Sequence, residues 1–101
     1  MLTSRQRQYL KAQAHSLKAS VHIGKAGVTA SLGQELDVML DSLELVKIRL
    51  NPNALADAEA VREQLGAAVP GLEVVRVLGH TLLVYRASRT HPTRYPLPVR
   101  E

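Results

Sequence analysis

The stretch Val-His-Ile-Gly-Lys-Ala-Gly-Val-Thr, which ends at Thr29, has the residue types and spacing that best suit a chemical role in this chain. Gly24 and Gly27 let the backbone bend tightly and approach a ligand with no Cβ in the way. Thr29 is a candidate cap for a following helix, whose unpaired N–H groups and dipole attract an anion. Because Lys25 adds a positive charge, this glycine loop (residues 24–27) suits a phosphate group. The alternative is a glycine-rich turn without a ligand.

Patterns typical of catalysis or cofactor binding are not found in the sequence. The glycine loop has neither the Walker A spacing nor the GxGxxG spacing of a dinucleotide fold. The histidines His15, His22, His80 and His91 lack metal-ligand spacing, and the chain has no cysteine. No nucleophile has a nearby base, and the acids of the second and third predicted helices are interpreted as solvated faces. We therefore expect no enzyme activity, no metal and no cofactor.

Charge is segregated along the chain. Residues 1–34 and residues 74–100 each carry five cations and no acid, whereas residues 35–73 carry eight acids and three cations. If the two basic segments share a face, that face attracts polyanions by steering and by counterion release. Ordinary solubilising charge is the alternative explanation for a net charge of +4.

Size and composition favour one small domain. A chain of 101 residues, 46% of them hydrophobic, is long enough for a modest two-layer core. The absence of cysteine excludes disulfides and fits a reducing compartment. The polar N-terminus shows no signal peptide, and no apolar run approaches the roughly 18 residues of a membrane helix. We therefore expect a cytoplasmic, soluble monomer with no membrane partner.

Three helices are predicted from capping residues and apolar periodicity. The first covers residues 3–15 and begins at a Thr-x-x-Gln capping box. The second covers residues 29–43, although a competing Ser-x-x-Gln box at residues 31–34 leaves its start open by two residues. The third covers residues 55–68.

Four strands, separated by turn residues, are predicted over residues 21–23, 44–50, 73–78 and 81–86. Apolar and charged residues alternate in the second strand, so Lys47 and Arg49 should lie on the face opposite the core. Arg76 of the third strand should lie beside them. From residue 87 onward there is no apolar period, and we expect an extended or flexible tail (residues 87–101).

The last two strands are predicted to form a hairpin around a type II′ turn at residues 79–80, Gly-His. Val77 should then pair with Leu82, and Val75 with Val84, on the core side. The order α-β-α-β-α-β-β predicts an α/β (α+β two-layer) single domain with a mixed four-stranded sheet. Helical crossovers imply that the first three strands are parallel neighbours. We expect helices mainly on one face and an open basic surface on the other.

Four blocks of sequence occur in a familiar order: His-Ser-Leu-Lys at residues 15–18, Ile-Gly-Lys-Ala-Gly-Val-Thr at 23–29, Glu-Leu-Val-Lys-Ile-Arg at 44–49, and Gly-His-Thr-Leu-Leu-Val-Tyr-Arg at 79–86. Together they resemble the CRM domain family in its bacterial, YhbY-like form, over about residues 2–86. The resemblance implies a fold similar to the C-terminal domain of translation initiation factor 3. It also implies RNA binding through the GxxG loop, and bacterial members are associated with precursors of the large ribosomal subunit.

This chain departs from the family pattern in two places. The segment 67–72 is longer than the corresponding segment of a typical member, and the tail is not part of the recognised pattern. We therefore predict an RNA-binding domain over residues 1–86 that binds RNA of the large ribosomal subunit or its precursor. The alternative is an adaptor that docks on an acidic protein without nucleic acid. The predicted RNA-binding residues are Gly24, Lys25, Ala26, Gly27, Thr29, Arg5, Arg7, Lys11, Lys18, Lys47, Arg49, Arg76 and Arg86.

Overall fold

The computed structural model describes residues 2–98, so Met1 and residues 99–101 lie outside the described part of the chain. The elements are α1 (Ser4–Gln13), a short 3₁₀ turn (Ala14–Ser16), β1 (Val21–Ile23), α2 (Ala30–Leu43), β2 (Leu45–Leu50), α3 (Ala58–Ala68), β3 (Glu73–Leu78) and β4 (Thr81–Tyr85). The predicted α+β class and the order of the elements are therefore confirmed.

Side-chain caps fix the starts of α1 and α2. The backbone N–H of Gln6 donates to Thr3 Oγ1 at 3.1 Å, and that of Thr3 donates to Gln6 Oε1 at 3.0 Å, which completes the predicted capping box. Thr29 Oγ1 accepts a hydrogen bond from the N–H of Leu32 at 3.1 Å. Thr29 is thus the cap of α2, and the competing box at residues 31–34 does not start the helix.

The third helix begins later than predicted. Asp57 is its cap, because Asp57 Oδ1 accepts from the N–H of Ala60 at 2.9 Å, so the helix starts at residue 58 instead of residue 55. Helices α2 and α3 approach closely at Gly33, where an added Cβ would lie 3.2 Å from the Cβ of Ala68. This contact explains a glycine inside a helix, where it costs about 1 kcal/mol relative to alanine.

The sheet is mixed and four-stranded, with the order β1-β2-β4-β3. Strands β1 and β2 are parallel neighbours, as predicted, and β4 is antiparallel to both β2 and β3. The expectation that β2 and β3 are neighbours is wrong, because β4 lies between them. Strand β4 is buried on both faces through Leu82, Leu83, Val84 and Tyr85, which favours a central position. Strand β3 carries the exposed Arg76 and forms an edge.

A β-bulge interrupts the β3–β4 hairpin. Val77 pairs with Leu82 as predicted, but the partner of Val84 is Val74 and not Val75. Val75 is the extra residue of the bulge, and its side chain is buried on the opposite face of the sheet. The predicted Val75–Val84 pair is therefore wrong by one residue.

Helices lie on both faces of the sheet. Helices α2 and α3 cover one face, where Leu36, Leu40, Val61 and Leu65 pack against apolar strand residues such as Ile48. Helix α1 lies on the other face and covers only part of it. The apolar contacts of that second cluster are made by Leu2, Leu10, Ala14, Leu45, Val75, Leu83 and Tyr85. The predicted open face is therefore correct only for the part of the sheet that α1 leaves uncovered.

Residues 87–98 of the tail contain no helix or strand and lie against the domain. Tyr95 and Leu97 pack against the second cluster beside α1. At the end of this segment the carbonyl oxygen of Pro98 accepts a hydrogen bond from Gln6 Nε2 at 3.1 Å. The tail thus joins the end of β4 to the N-terminal helix.

Glu44 links the tail to the end of α2. Its side chain is only 1% exposed, and its backbone has a positive φ of 63°, a conformation that few residues other than glycine adopt. The carboxylate accepts hydrogen bonds from the N–H of Ser88 at 3.0 Å, from Thr93 Oγ1 at 3.2 Å and from the N–H of Arg94. The buried charge is therefore matched by donors from the tail.

Candidate nucleic-acid interface

The glycine loop is a surface turn between β1 and α2. The N–H of Gly27 donates to the carbonyl oxygen of Gly24 at 3.1 Å, and Gly27 has a φ of +68°, which glycine adopts without strain. Lys25 and Ala26 are exposed at its tip. Gly24 and Gly27 are partly exposed, so the loop backbone is accessible from solvent, and it leads directly to the N-terminus of α2 at Thr29.

Amide side chains from other elements lie beside the glycine loop. A Cβ added to Gly24 would lie 3.6 Å from Asn53 Oδ1 and 3.7 Å from Asn51 Nδ2, and one added to Gly27 would lie 4.0 Å from Gln64 Oε1. The N–H of Asn51 also donates to the carbonyl oxygen of Ile23 at 2.8 Å, which ties the turn after β2 to the start of the loop. These three amides are not recognisable from the sequence, because their separation from the loop along the chain gives no signal of proximity.

The uncovered part of the α1 face forms a groove of about 500 Å³, which we call the basic groove. Four of its residues are cations, one is a histidine, and none is acidic. It is lined by Lys11, Ala14, His15, Ala19, Lys47, Arg49, Arg76, Leu78, Thr81 and Leu83. The structure thus brings together four of the predicted cations from α1, β2 and β3.

Strand register explains why these cations meet. Lys47 and Arg76 both pair with Leu83 of the central strand β4, so the three residues form one row across the sheet. The next row contains Arg49, which pairs with Thr81. Alternation along β3 from the hairpin turn places Arg76 on this face and Val77 on the core side, and the bulge beyond Arg76 returns Val74 to the core side as well. The predicted grouping of Lys47, Arg49 and Arg76 is therefore found in the groove.

The basic groove and the glycine loop lie toward the same end of the sheet. His22 of β1 pairs with Arg49, and Ile23, the last residue before the loop, pairs with Leu50. The hairpin turn also lies at this end, because the N–H of Leu50 donates to the carbonyl oxygen of His80 at 2.7 Å. His22 is exposed between the loop and the groove.

Two predicted cations also have structural contacts. Lys47 Nζ donates to the carbonyl oxygens of Ala14 at 3.0 Å and Leu17 at 2.9 Å, which satisfies groups at the C-terminal end of α1 and its 3₁₀ turn. Arg7 Nη1 donates to the carbonyl oxygens of Val74 at 2.8 Å and Val75 at 3.1 Å, at the bulge. Lys47 remains at the groove wall, whereas Arg7 does not line the groove.

Arg86 does not lie on this surface, and the structure contradicts its predicted role in RNA binding. Its side chain is 7% exposed. The guanidinium donates to Asp37 Oδ1 at 2.5 Å, to the carbonyl oxygen of Pro70 at 3.1 Å and to Asp41 Oδ1 at 3.3 Å. A hydrogen bond from Arg86 is the main cause that lowers the pKa of Asp37. Arg86 therefore stabilises the fold and is not available to a ligand.

The remaining predicted residues lie outside the groove. Arg5 on α1 and Lys18 between the 3₁₀ turn and β1 are both exposed, and neither lines the groove. Within residues 2–98, no helix is long and apolar enough to cross a membrane. Within the same residues, no group of three or more His, Cys, Asp or Glu side chains is arranged to hold a metal ion.

A comparison with known families matches the CRS1/YhbY (CRM) domain to residues 2–86, which include the loop and the groove. The chain belongs to this family. Probable RNA-binding protein YqeI of Bacillus subtilis is 29% identical to this CRM domain over 89 residues, or 88% of this chain and 92% of that protein. A Haemophilus influenzae protein named RNA-binding protein is 32% identical over 97 residues, or 94% of this chain and 95% of that protein.

The fold of this CRM domain is also found in a solved structure. The solution structure of the hypothetical protein SAV1595 from Staphylococcus aureus matches it with a TM-score of 0.77 and 32% sequence identity. The match covers 97% of this chain and 100% of that one. The resemblance to the family that the four sequence blocks indicated is thus confirmed.

Proposed function

We propose that this CRM domain binds RNA through the glycine loop and the basic groove. The observation that carries the proposal is the groove itself, in which four cations meet without an acidic residue, toward the same end of the sheet as a glycine loop at a helix N-terminus. Such a surface favours a ligand with several negative charges in a row. The names of the Bacillus subtilis and Haemophilus influenzae relatives support RNA as that ligand.

The proposed mechanism assigns separate roles to the loop and the groove. The N–H groups of the glycine loop and the first turn of α2, other than those of Gly27 and Leu32, which are bonded within the protein, hold one backbone phosphate, with Lys25 beside it. In the groove, Lys11, Arg49 and Arg76 neutralise the phosphates that follow. Lys47 holds the end of α1 in place and contributes its charge to the same surface.

The basic residues outside the groove have lesser roles in this proposal. Lys18 and Arg5 extend the footprint beyond the groove. Because Arg86 is buried against α2, the footprint does not reach the C-terminal end of β4.

The RNA that we propose is that of the large ribosomal subunit or its precursor, on the basis of the family resemblance. Recovery of bound material from a cell lysate, with and without ribonuclease, tests this target. Large-subunit RNA should copurify with the tagged protein and be lost after ribonuclease treatment. If instead an acidic protein is recovered regardless of ribonuclease, the domain is an adaptor and the proposal is wrong.

The loop assignment is tested by a charge reversal with a neutral control. The variant Lys25→Glu/Gly27→Asp should bind structured RNA at least tenfold more weakly, because two carboxylates then face the phosphate. The control Lys25→Gln/Gly27→Asn has the same side-chain shapes without negative charge. Asp and Asn both tolerate the positive φ of Gly27, so circular dichroism should show that both variants fold. Unchanged RNA affinity of the charge-reversed variant would refute the loop assignment.

A further inference from the structure

An exposed leucine lies among the cations of the basic groove. Leu78, at the end of β3, is 60% exposed and lines the groove together with the apolar side chains of Ala14 and Leu83. Leu78 pairs with Thr81 across the hairpin, in the same row as Arg49. A single exposed leucine is ordinary on a protein surface, but Leu78 shares a concavity with Ala14 and Leu83, and a concave apolar surface suits the apolar part of a ligand.

The cations around this apolar floor have no counter-charge. Among residues 2–98, Lys11, Arg49 and Arg76 make no side-chain hydrogen bond or ion pair, and the groove contains no carboxylate. The other side of the molecule differs, because Arg86 and Arg89 are paired there with Asp37 and Asp41. The groove therefore combines unpaired positive charge with an apolar surface.

We propose that the groove accepts an unstacked nucleotide of single-stranded RNA, with its base against Leu78 and Leu83 and its flanking phosphates on Arg49 and Arg76. This inference rests on the proposed function and specifies the form of RNA that the groove takes. A volume of about 500 Å³ lies within the range of small-ligand pockets. A lone phosphate would leave Leu78 uncovered, and a duplex keeps its bases paired and stacked. A single strand can turn one base into the concavity while its phosphates remain at the rim.

The protein offers a matched control for a test of the apolar contact. Leu55, in the loop before α3, is 78% exposed and borders a different concavity, formed with residues such as Asn51 and Val77. The variants Leu78→Ala and Leu55→Ala remove the same atoms from two exposed positions, so both should fold. Anisotropy titrations should use a ten-uridine strand, a hairpin duplex of equal charge, and an abasic ribose-phosphate strand of ten units.

Wild-type protein should bind the uridine strand more tightly than the duplex or the abasic strand. Leu78→Ala should weaken binding of the uridine strand about fivefold, as expected for partial burial of one leucine, and leave the abasic strand unaffected. Because no charge changes, the salt dependence of the affinity should stay the same. Leu55→Ala should bind all three ligands as the wild type does.

The outcomes separate this inference from the function on which it rests. If the uridine and abasic strands bind equally, or if Leu78→Ala has no effect, the protein binds RNA through phosphates alone and the inference is wrong. If an Asp/Glu-rich peptide of equal length binds more tightly than the uridine strand, the groove is a protein-docking site. If the protein binds none of the RNAs, the proposed function itself fails.

Discussion

Arg86 makes two hydrogen bonds to Asp37: its Nη1 donates to the carboxylate at 2.5 Å, and its Nη2 donates to the backbone carbonyl oxygen of Asp37 at 2.8 Å. One turn further along α2, Asp41 pairs with Arg89, whose Nη2 lies 2.8 Å from Asp41 Oδ2 and 2.9 Å from Asp37 Oδ2. The end of β4 and the start of the tail are thus attached to α2 by two arginines and two aspartates.

This cluster predicts a specific dependence of stability on pH. The pKa of Asp37 is lowered chiefly by the hydrogen bond from Arg86, and that of Asp41 is lowered chiefly by the hydrogen bond from Arg89, from an ordinary value of 3.8. A depressed carboxyl pKa contributes stability above the ordinary value, and the contribution is lost as the pH falls toward the depressed pKa. The contribution should be constant between about pH 7 and pH 5 and decline below about pH 4.

Urea unfolding of the wild type and of Asp37→Asn/Asp41→Asn checks this expectation. The difference between their free energies of unfolding should be equal at pH 7 and pH 5 and smaller at pH 3. A difference that changes between pH 7 and pH 5 would show that another group is responsible.

The hydrogen bonds between Glu44 and the tail predict that the stability of the fold is coupled to the order of the tail. In Glu44→Gln, the amide presents one acceptor oxygen where the carboxylate presents two, so a partly buried donor from the tail loses its partner. We expect a loss of about 1–3 kcal/mol in the free energy of unfolding. Limited proteolysis should also cut residues 88–94 faster. Glu35→Gln, at an exposed position of α2, is the control and should change neither property.

The sequence predicts those parts of the fold that depend on contacts between residues close together in the chain. Thr29 caps α2 through a contact three residues away, and the outer face of β2 follows from strict alternation of Lys47 and Arg49 with apolar residues. The face that α1 covers could not be predicted, because no strand precedes it and the handedness rule for crossovers does not apply to it. The burial of Arg86 depends on Asp37, 49 residues away in a segment that was interpreted as solvated.

Substitution of glycine by alanine should have opposite effects on stability at two positions. Gly66 lies in α3 with no atom within 4 Å of an added Cβ, so Gly66→Ala should raise the free energy of unfolding by up to about 1 kcal/mol. Gly71 has a φ of +77°, and an added Cβ would lie 3.4 Å from Arg86 Cδ. Gly71→Ala should therefore lower the free energy of unfolding by about 1–2 kcal/mol. Thermal unfolding measures both, and shifts of the same sign would contradict these assignments.

The unpaired cations of the basic groove predict opposite effects on stability and on binding. Replacing Arg76 by Gln removes repulsion between like charges, so the melting temperature at low salt should rise slightly while RNA affinity falls. If the protein neutralises five phosphates of single-stranded RNA, log K should fall with log salt with a slope of about −3.5, and Arg76→Gln should reduce that slope by about 0.7. Arg62→Gln on α3, outside the groove, is the control. An affinity independent of salt would exclude the phosphate mechanism.

The candidate interface was predictable in part for the same reason as the fold. The glycine loop could be identified because its residues are contiguous, and its accessibility follows from its position between a strand and a helix. The groove also needs α1 on the face that carries Arg76, and the position of α1 could not be predicted from the sequence, whereas the placement of Arg76 beside Lys47 and Arg49 was predicted. The amides of Asn51 and Asn53 reach the loop only because β1 and β2 are paired.

The bulge at Val75 has a consequence for how the sheet can meet other chains. It interrupts the regular ladder of β3, and Arg7 already occupies the carbonyl oxygens of Val74 and Val75 there. The opposite border of the sheet is β1, which offers only three residues. Both borders are therefore poor templates for strand addition and for edge-to-edge aggregation. A macromolecule is therefore recognised through side chains and loops. Sequence variation can alter these without changing the backbone framework.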